Sequence, residues 1–404
     1  VKPFDVKEII SSGAPVVLFG AGRYGKVAHF AITRHGIKPT HFCDSDTRKQ
    51  GTTFCGLEVI SPETLRALGD RCHIFISCAY VIPVVTAVQA LNLPNLHDCV
   101  SIFDATDFTG ANIGMSGSEI GVMVERYKAA CLATKAAEDP RLIIRGMDIM
   151  ATEACSMKCK DCSNLMQYYT APKNGDPALV MRAFDKMALC VDTFLEVRVL
   201  GGEPFLNKRV HEIVNTLTAH ANVEKVAVFT NATIVPKGEN LECLKHPKVY
   251  LDITHYGALS RNHDRLIDTL DAAGIAYTTH KPHTWTDSGK IVYRERTEDE
   301  LTRMFSRCCV NDVLTLQQGM LYRCPFSANA MTLRAVPRVP RDFIDLEEDG
   351  LDRDSLRERI KHFYTARTYI SSCSWCNGRD FTVPVVEAGI QTPTVLTVEQ
   401  IFPA

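Results

Sequence analysis

Short apolar runs that end on glycine or a polar residue, each followed by an amphipathic stretch, recur through the first three quarters of this chain. Such βα punctuation commits a sequence to parallel sheets with helices on their faces, because successive parallel strands can be joined only by a crossover. The first apolar run, 16–19, is followed by Gly20-Ala21-Gly22-Arg23-Tyr24-Gly25 and a helical stretch over 26–35. A second strand ends near Phe42, with Asp44 and Asp46 just after it, and 73–77 reads as a further buried strand. From about 112 to 140 the pattern turns helical and charged, which suits a connecting element. A second series then begins, with strands over 142–150, 196–200, 226–230, 249–254 and 275–280. Helices over 181–191, 210–220 and 262–273 separate them. Polar or glycine residues at the C-terminal ends of these strands predict a full or partial (β/α) barrel. After about Thr297 the rhythm breaks.

At 404 residues the chain is too long for one ordinary core, which predicts two or three domains. Apolar residues at 46% and charged residues at 23% are the balance of a folded globular protein. The net charge of −2 supplies no electrostatic reason for a nucleic-acid or anionic-membrane partner. No run approaches the ~18 apolar residues of a membrane helix. The opening VKPFDVKEII lacks a basic-then-apolar leader pattern, so the expected location is cytoplasmic. Sixteen cysteines in a reducing compartment need an account other than disulfides. Cys43, Cys55, Cys72, Cys78, Cys99, Cys131, Cys190 and Cys243 show no metal spacing and read as ordinary thiols.

Two groups of cysteines are different. Cys155-Ser-Met-Lys-Cys159-Lys-Asp-Cys162 follows the first strand of the second series. Three thiolates on one short loop can reach three irons of a cubane and leave the fourth open. A structural zinc site would want four protein ligands, and the nearest downstream cysteine, Cys190, falls in a helix. The second group is Cys309-X9-Gly319-X4-Cys324, followed after a gap by Cys373-Ser-Trp-Cys376. Four thiolates in two pairs suit either zinc or a second iron–sulfur cluster.

The first loop resembles the CX3CX2C hallmark of the radical S-adenosylmethionine (SAM) superfamily. Gly201-Gly202-Glu203-Pro204, after the next strand, is similar to the family's GGEP motif, which receives the methionine amino group. Thr230-Asn231-Ala232-Thr233 resembles its TNG-type segment, and Asp252, Thr254 and His255 end the strand where the family contacts the ribose. Asp161 departs from the apolar or aromatic residue usual before the third cysteine. The second group resembles a twitch domain, the shortened SPASM extension with one auxiliary [4Fe–4S] cluster. Cys308 lies beside Cys309, which is the preferred ligand, and Cys308 could instead donate a hydrogen atom or simply be buried.

The resemblance implies a domain order of 1–112 Rossmann-like, 113–141 helical linker, 142–297 partial TIM-type barrel, and 298–404 twitch/SPASM-like region and tail. It implies a SAM-binding [4Fe–4S] cluster on Cys155, Cys159 and Cys162, an auxiliary cluster on Cys309, Cys324, Cys373 and Cys376, and a reductant such as flavodoxin or ferredoxin. The implied chemistry is cleavage of SAM to a 5′-deoxyadenosyl radical that abstracts hydrogen from a substrate. Gly20, Gly22 and Gly25 with Asp44 fit a dinucleotide fingerprint, while the wider segment looks like the Rossmann-like domain of sugar-modifying enzymes. A sugar nucleotide or other phosphate ligand, a structural role, and NAD(P) all stay open for it. The expected substrate is a small sugar-like or nucleotide-linked molecule undergoing dehydrogenation or epimerisation, and the alternative is modification of a peptide or protein. His255, His280 and His283 read as loop histidines, Tyr168, Tyr169 and Trp285 as packing residues.

Overall fold

The computed structural model describes residues 1–135, 141–348, 350, 352–366, 368–380 and 383–403. The chain divides into two compact units, Val1–Lys135 and Ala136–Ala404. The first carries strands β1 (Val16–Phe19), β2 (His41–Cys43), β3 (Thr53–Phe54), β4 (Leu57–Ile60), β5 (His73–Ile76) and β6 (Leu96–His97). Their order is β3-β4-β2-β1-β5-β6, parallel except for β3 at the edge. This is a doubly wound sheet whose direction reverses between β1 and β5, beside the glycine loop. Helices α1 (Val6–Ser12), α2 (Arg23–Arg34), α3 (Pro62–Ala67), α4 (Val81–Ala90), α5 (Val100–Ala105) and α6 (Gly117–Lys135) complete the unit.

Helix α6 corrects the expected linker over 113–141. Its Ile120, Met123, Val124, Tyr127, Ala130 and Cys131 recur at helical spacing and are buried in the core of the first unit. Tyr127 is fully buried, donates to the Ile76 carbonyl at 2.6 Å and accepts from the Cys99 amide at 2.9 Å. The first unit therefore runs to Lys135 rather than 112.

In the second unit β7 (Ile143–Thr152), β8 (Thr193–Gly201), β9 (Val226–Thr230), β10 (Val249–Thr254) and β11 (Tyr277–His280) form a parallel series in sequence order. The crossovers contain α7 (Pro177–Ala188), α8 (Val210–Ala219), the one-turn α9 (Glu239–Glu242) and α10 (His263–Ala273). Helix α7 shows why they form. Asp176 accepts from the Ala178 amide as N-cap, Pro177 opens the first turn, and Val180, Ala183, Phe184 and Met187 fall on one buried face. Phe184 packs on Phe194 of β8 with ring centroids 5.0 Å apart, and burying it contributes roughly 1.5–3 kcal/mol.

The region after 297 does not stand apart from the barrel, as a separate domain over 298–404 would. The antiparallel pair β12 (Thr284–Thr286) and β16 (Val385–Glu387) is separate, but β13 (Val313–Gln317) lies parallel beside β7. Strands β14 (Met320–Tyr322) and β15 (Phe343–Asp345) extend the sheet antiparallel, giving the order β11-β10-β9-β8-β7-β13-β14-β15. Helices α11 (Glu298–Arg307), α12 (Pro325–Thr332) and α13 (Arg353–Thr365) accompany them.

Alternation along the strands divides the sheet's two faces. Ile149, Val197, Val199, Val228, Leu251, Ile253, Leu314 and Leu316 join the helices in one apolar core. The alternate positions are mostly polar yet still buried, among them Asp148, Thr152, Asp252, Thr278, Thr315 and Gln317. A strand buried on both faces that keeps polar groups on one of them has an interior built for something other than packing. No helix among the described residues is long and apolar enough to cross a membrane.

Candidate functional site

The loop that follows β7 carries Cys155, Cys159 and Cys162, and the three thiols lie within electrostatic reach of one another. Burial pushes Cys155 up to about 12 and Cys159 up to about 11, and it raises Cys162 as well. Opposing that, N–H groups point at the sulfurs. The Asn231 side chain reaches Cys155 Sγ at 3.7 Å, the Gln391 side chain reaches Cys159 Sγ at 3.2 Å, and backbone amides of residues 164–166 face Cys162. Thiols that hold their protons when bare, yet are ringed by donors, are arranged for sulfur whose charge a cation takes up. Among the described residues, no three His, Cys, Asp or Glu side chains converge tightly enough for one metal ion. Tetrahedral zinc would need thiolates about 3.8 Å apart, given its 2.3 Å bonds.

The turn after β8 is packed on this loop. Gly202 N–H donates to the Thr152 carbonyl at 3.1 Å and Glu203 N–H to the Ala154 carbonyl at 2.9 Å. A Cβ on Gly201 would stand 2.1 Å from the Thr152 oxygen, and one on Gly202 would stand 2.2 Å from the Ala154 oxygen. The close approach that requires these glycines is thus to the chain's own backbone. Pro204 opens a short 3-10 turn, and Glu203 is fully buried ahead of it. Its carboxylate accepts from Thr230 Oγ1 at 3.0 Å and from the amides of Asn231 at 2.9 Å and Phe205 at 3.3 Å. Burial nevertheless pushes it up to about 7. Glu203 ties the end of β8 to the end of β9, a role its motif does not announce.

Asn231 shares Ser156 with Thr233, and Ser260 closes the cluster by donating to the Asn231 carbonyl at 2.7 Å. Asp252 lies 3.5 Å from His280 Nδ1, both on the inner face, and Thr254 bonds the Tyr256 phenol. Sequence reasoning passed over Tyr256. Its ring packs edge-on to Trp285 at 5.6 Å, and burial together with all three loop thiols raises its phenol. Asp161 pairs loosely with Lys290 at 3.8 Å.

The second group assembles around cations. Cys324, Cys373 and Cys376 feel one another's charge, and burial pushes Cys324 up to about 12. Cys324 caps α12, accepting from Ser327 N at 3.4 Å, and Cys376 accepts from Gly378 N at 3.3 Å. Arg296 binds the carbonyls of Cys373 and Cys376 at 2.9 and 2.8 Å, Arg294 that of Trp375 at 3.3 Å. Fully buried Arg323 holds the Tyr364 and Asn311 carbonyls at 3.0 and 2.7 Å. Arg379 adds positive field at Cys162, Cys309, Cys324 and Cys376. Of the adjacent pair, Cys308 feels Cys324. Cys309 is lowered by the Cys308 thiol that donates to it and by Arg379, Arg198 and Arg145.

In the first unit the three loop glycines have different surroundings. A Cβ on Gly20 would meet Ser77 and Cys78 at 2.8 Å, and one on Gly25 would stand 2.3 Å from the Gly20 oxygen. Gly22 faces open space. Asp44, expected to meet a ribose, is buried and engaged on both oxygens, by Ala21 N–H at 2.9 Å, Asp46 N–H at 2.9 Å and Lys49 Nζ at 2.8 Å. Asp44→Ala strands two buried amides, so the first unit should lose about 1–3 kcal/mol in chemical denaturation. An unchanged midpoint would show that these bonds contribute nothing.

No family model matches the chain. GTP 3′,8-cyclase of Stenotrophomonas maltophilia (strain K279a) is 36% identical over 91 residues, 21% of this chain and 26% of that protein. The chain thus matches about a quarter of the length of this curated relative, and the same enzyme of strain R551-3 is 35% identical over 91 residues. Among solved structures, BtrN in complex with AdoMet and 2-DOIA is 17% identical, with 58% of this chain and 92% of that one covered, at a TM-score of 0.39. Native anSMEcpe with bound AdoMet is 10% identical over 63% and 92%, also at 0.39. The chain is thus similar to the GTP 3′,8-cyclases over 91 residues, and it combines that likeness with the three-cysteine loop and the glycine turn packed on it.

Proposed function

We propose that the chain is a radical SAM enzyme in which Cys155, Cys159 and Cys162 hold a [4Fe–4S] cluster, that S-adenosylmethionine binds beside it, and that the enzyme dehydrogenates or epimerises a carbohydrate-like substrate, free or nucleotide-linked. The observation that carries the proposal is the set of three thiols on one loop, within electrostatic reach of one another and faced by N–H donors. When bound, a cluster with one iron free of protein ligands supplies the electron that splits SAM into methionine and a 5′-deoxyadenosyl radical, which abstracts the substrate hydrogen.

The chain's own work is placement. Gly201 and Gly202 set the cysteine loop's height, and Glu203 locks the ends of β8 and β9. Asn231 orients Cys155, while Asp252, Thr254 and Tyr256 edge the space above the inner face. Thr278 and Thr315 carry buried hydroxyls without a protein hydrogen bond on that face, and the Gln317 amide is buried on it as well. Neutral hydroxyl and amide groups there match a hydroxyl-rich substrate better than a charged or apolar one. We assign a twitch-like auxiliary [4Fe–4S] cluster to Cys309 with Cys324, Cys373 and Cys376, where surrounding guanidinium groups offset its negative charge. Cys308 is the alternative hydrogen donor. A nucleotide at the first unit's glycine loop and a flavodoxin or ferredoxin reductant complete the proposal.

Anaerobic reconstitution, reduction with dithionite and assay for 5′-deoxyadenosine against nucleotide-linked sugars and peptides tests it. Activity with a sugar and deuterium transfer into the deoxyadenosine are expected, and Cys155→Ala, Cys159→Ala or Cys162→Ala should abolish both. Protein that takes up only zinc, or iron that yields no deoxyadenosine, would end the reading. Turnover of a peptide alone would replace the substrate class.

A further inference from the structure

The segment after β16 lies across the cysteine loop as a strap. Residues Cys159 and Gln391 form an antiparallel bridge, with Lys160 N–H donating to the Ile390 carbonyl and Thr392 N–H to the Lys158 carbonyl, both at 2.7 Å. The strap is fastened before and after this point. Ala388 N–H donates to the His283 carbonyl at 3.0 Å, Leu396 N–H to the Gln167 carbonyl at 2.9 Å, and Phe402 N–H to the Arg334 carbonyl at 2.8 Å. Gly389, at φ +78°, makes the turn, and a Cβ there would stand 3.1 Å from the Tyr256 ring.

The Gln391 side chain is held in one orientation. Its Oε1 accepts from Lys158 N–H at 2.7 Å, and its Nε2 donates to the Gly389 carbonyl at 2.7 Å and to Cys159 Sγ at 3.2 Å. Rotating the amide by half a turn would set oxygen against the Gly389 oxygen and an N–H against the Lys158 N–H. Two mismatches fix the N–H on the sulfur side. Cys159 is the loop cysteine whose sulfur receives its side-chain donor from outside the barrel strands and their connections.

We propose that Gln391 is a positioning residue that sets the reduction potential of the loop's cluster through an N–H···S hydrogen bond to Cys159. The inference rests on the reading that Cys155, Cys159 and Cys162 bind the cluster. An added electron increases the charge density on the ligand sulfurs, so a donor at sulfur favours the reduced state. Removing it shifts the balance towards the oxidised state without touching the ligand set.

The test is a redox titration of the anaerobically reconstituted full chain, followed by the part of the electron paramagnetic resonance signal that responds to added S-adenosylmethionine. At the solution potential that half-reduces this signal in the natural sequence, Gln391→Leu should lower the reduced-to-oxidised ratio about tenfold. Gln391→Glu keeps the acceptor for Lys158 N–H, and so the strap, while exchanging the donor for an anion. It should lower the ratio at least as far. An unchanged ratio in iron-loaded variants overturns the proposal. So does loss of iron from both variants, which would make Gln391 a fold element only. If the natural sequence itself shows no signal that responds to S-adenosylmethionine, the cluster reading has failed and not this inference alone.

Discussion

Gly202→Ala should yield a protein that keeps its first unit folded but no longer loads iron on the Cys155–Cys162 loop. The added methyl group would stand 2.2 Å from the Ala154 oxygen, 2.5 Å from the Ala154 carbonyl carbon and 2.6 Å from Cys155 Cβ. These are backbone atoms and the root of the Cys155 side chain, so no flexible neighbour can swing aside. Overpacking of this kind costs about 3 kcal/mol, near the upper end for an inserted methylene. The strain falls on the loop that carries Cys155, Cys159 and Cys162, the proposed cluster ligands. Iron per chain after reconstitution and the denaturation midpoint of the second unit measure the two consequences. Gly121→Ala, on α6 with nothing within 4 Å, is the control and should load iron as the natural sequence does. Full iron loading by Gly202→Ala would show that the loop tolerates a shift of its support.

The second large effect lies among the inner-face charges. Arg198 Nε donates to Asp148 Oδ1 at 2.6 Å, with Asp148 only 1% exposed and Arg198 15%. Burial already raises Asp148, and Arg198 opposes that rise. Arg198→Met leaves the carboxylate buried and unpaired, which costs about 3–5 kcal/mol. The sign of the pH dependence follows from linkage. With the cation gone, the folded pKa of Asp148 climbs further above its unfolded value near 3.8, so the unfolded state binds fewer protons between the two. The loss is therefore greatest at pH 8 and shrinks as pH falls towards that unfolded value. Adding Asp148→Leu should restore most of the stability, because the unpaired charge leaves with it. A pH-independent loss, or no rescue, would show that Arg198 acts through packing instead.

Much of this arrangement was legible in the sequence where the information is local. The runs at 16–19, 226–230 and 249–254 are the strands β1, β9 and β10 as expected, since each is an apolar stretch bounded by a polar or glycine residue. Helix α7 begins four residues before the expected 181 because Asp176-Pro177 is a start signal that the apolar spacing does not contain. What escaped was pairing at a distance. Nothing in VLTLQ names β7 as the partner of β13, so the region after 297 read as separate. Helix α6 looked like a connector because its charges dominate the pattern, although every third or fourth residue is buried. Glu203 and Asp44 show the same limit in the sites. Their motifs suggest groups waiting for a ligand, whereas protein donors two to twenty-eight positions away already engage both carboxylates. Gln391 had no local signal at all, lying in a polar, proline-containing tail.

The strap also dictates an order of assembly. The bond from Gln391 to Cys159 joins residues 232 positions apart, so on a translating ribosome the thiols of the loop emerge long before their cover. At roughly 5–20 residues per second, that interval is on the order of tens of seconds. Through it the nascent barrel presents its cysteines to the solvent and to any iron-delivery machinery. Closure then becomes a late, long-range contact that no early folding nucleus can supply.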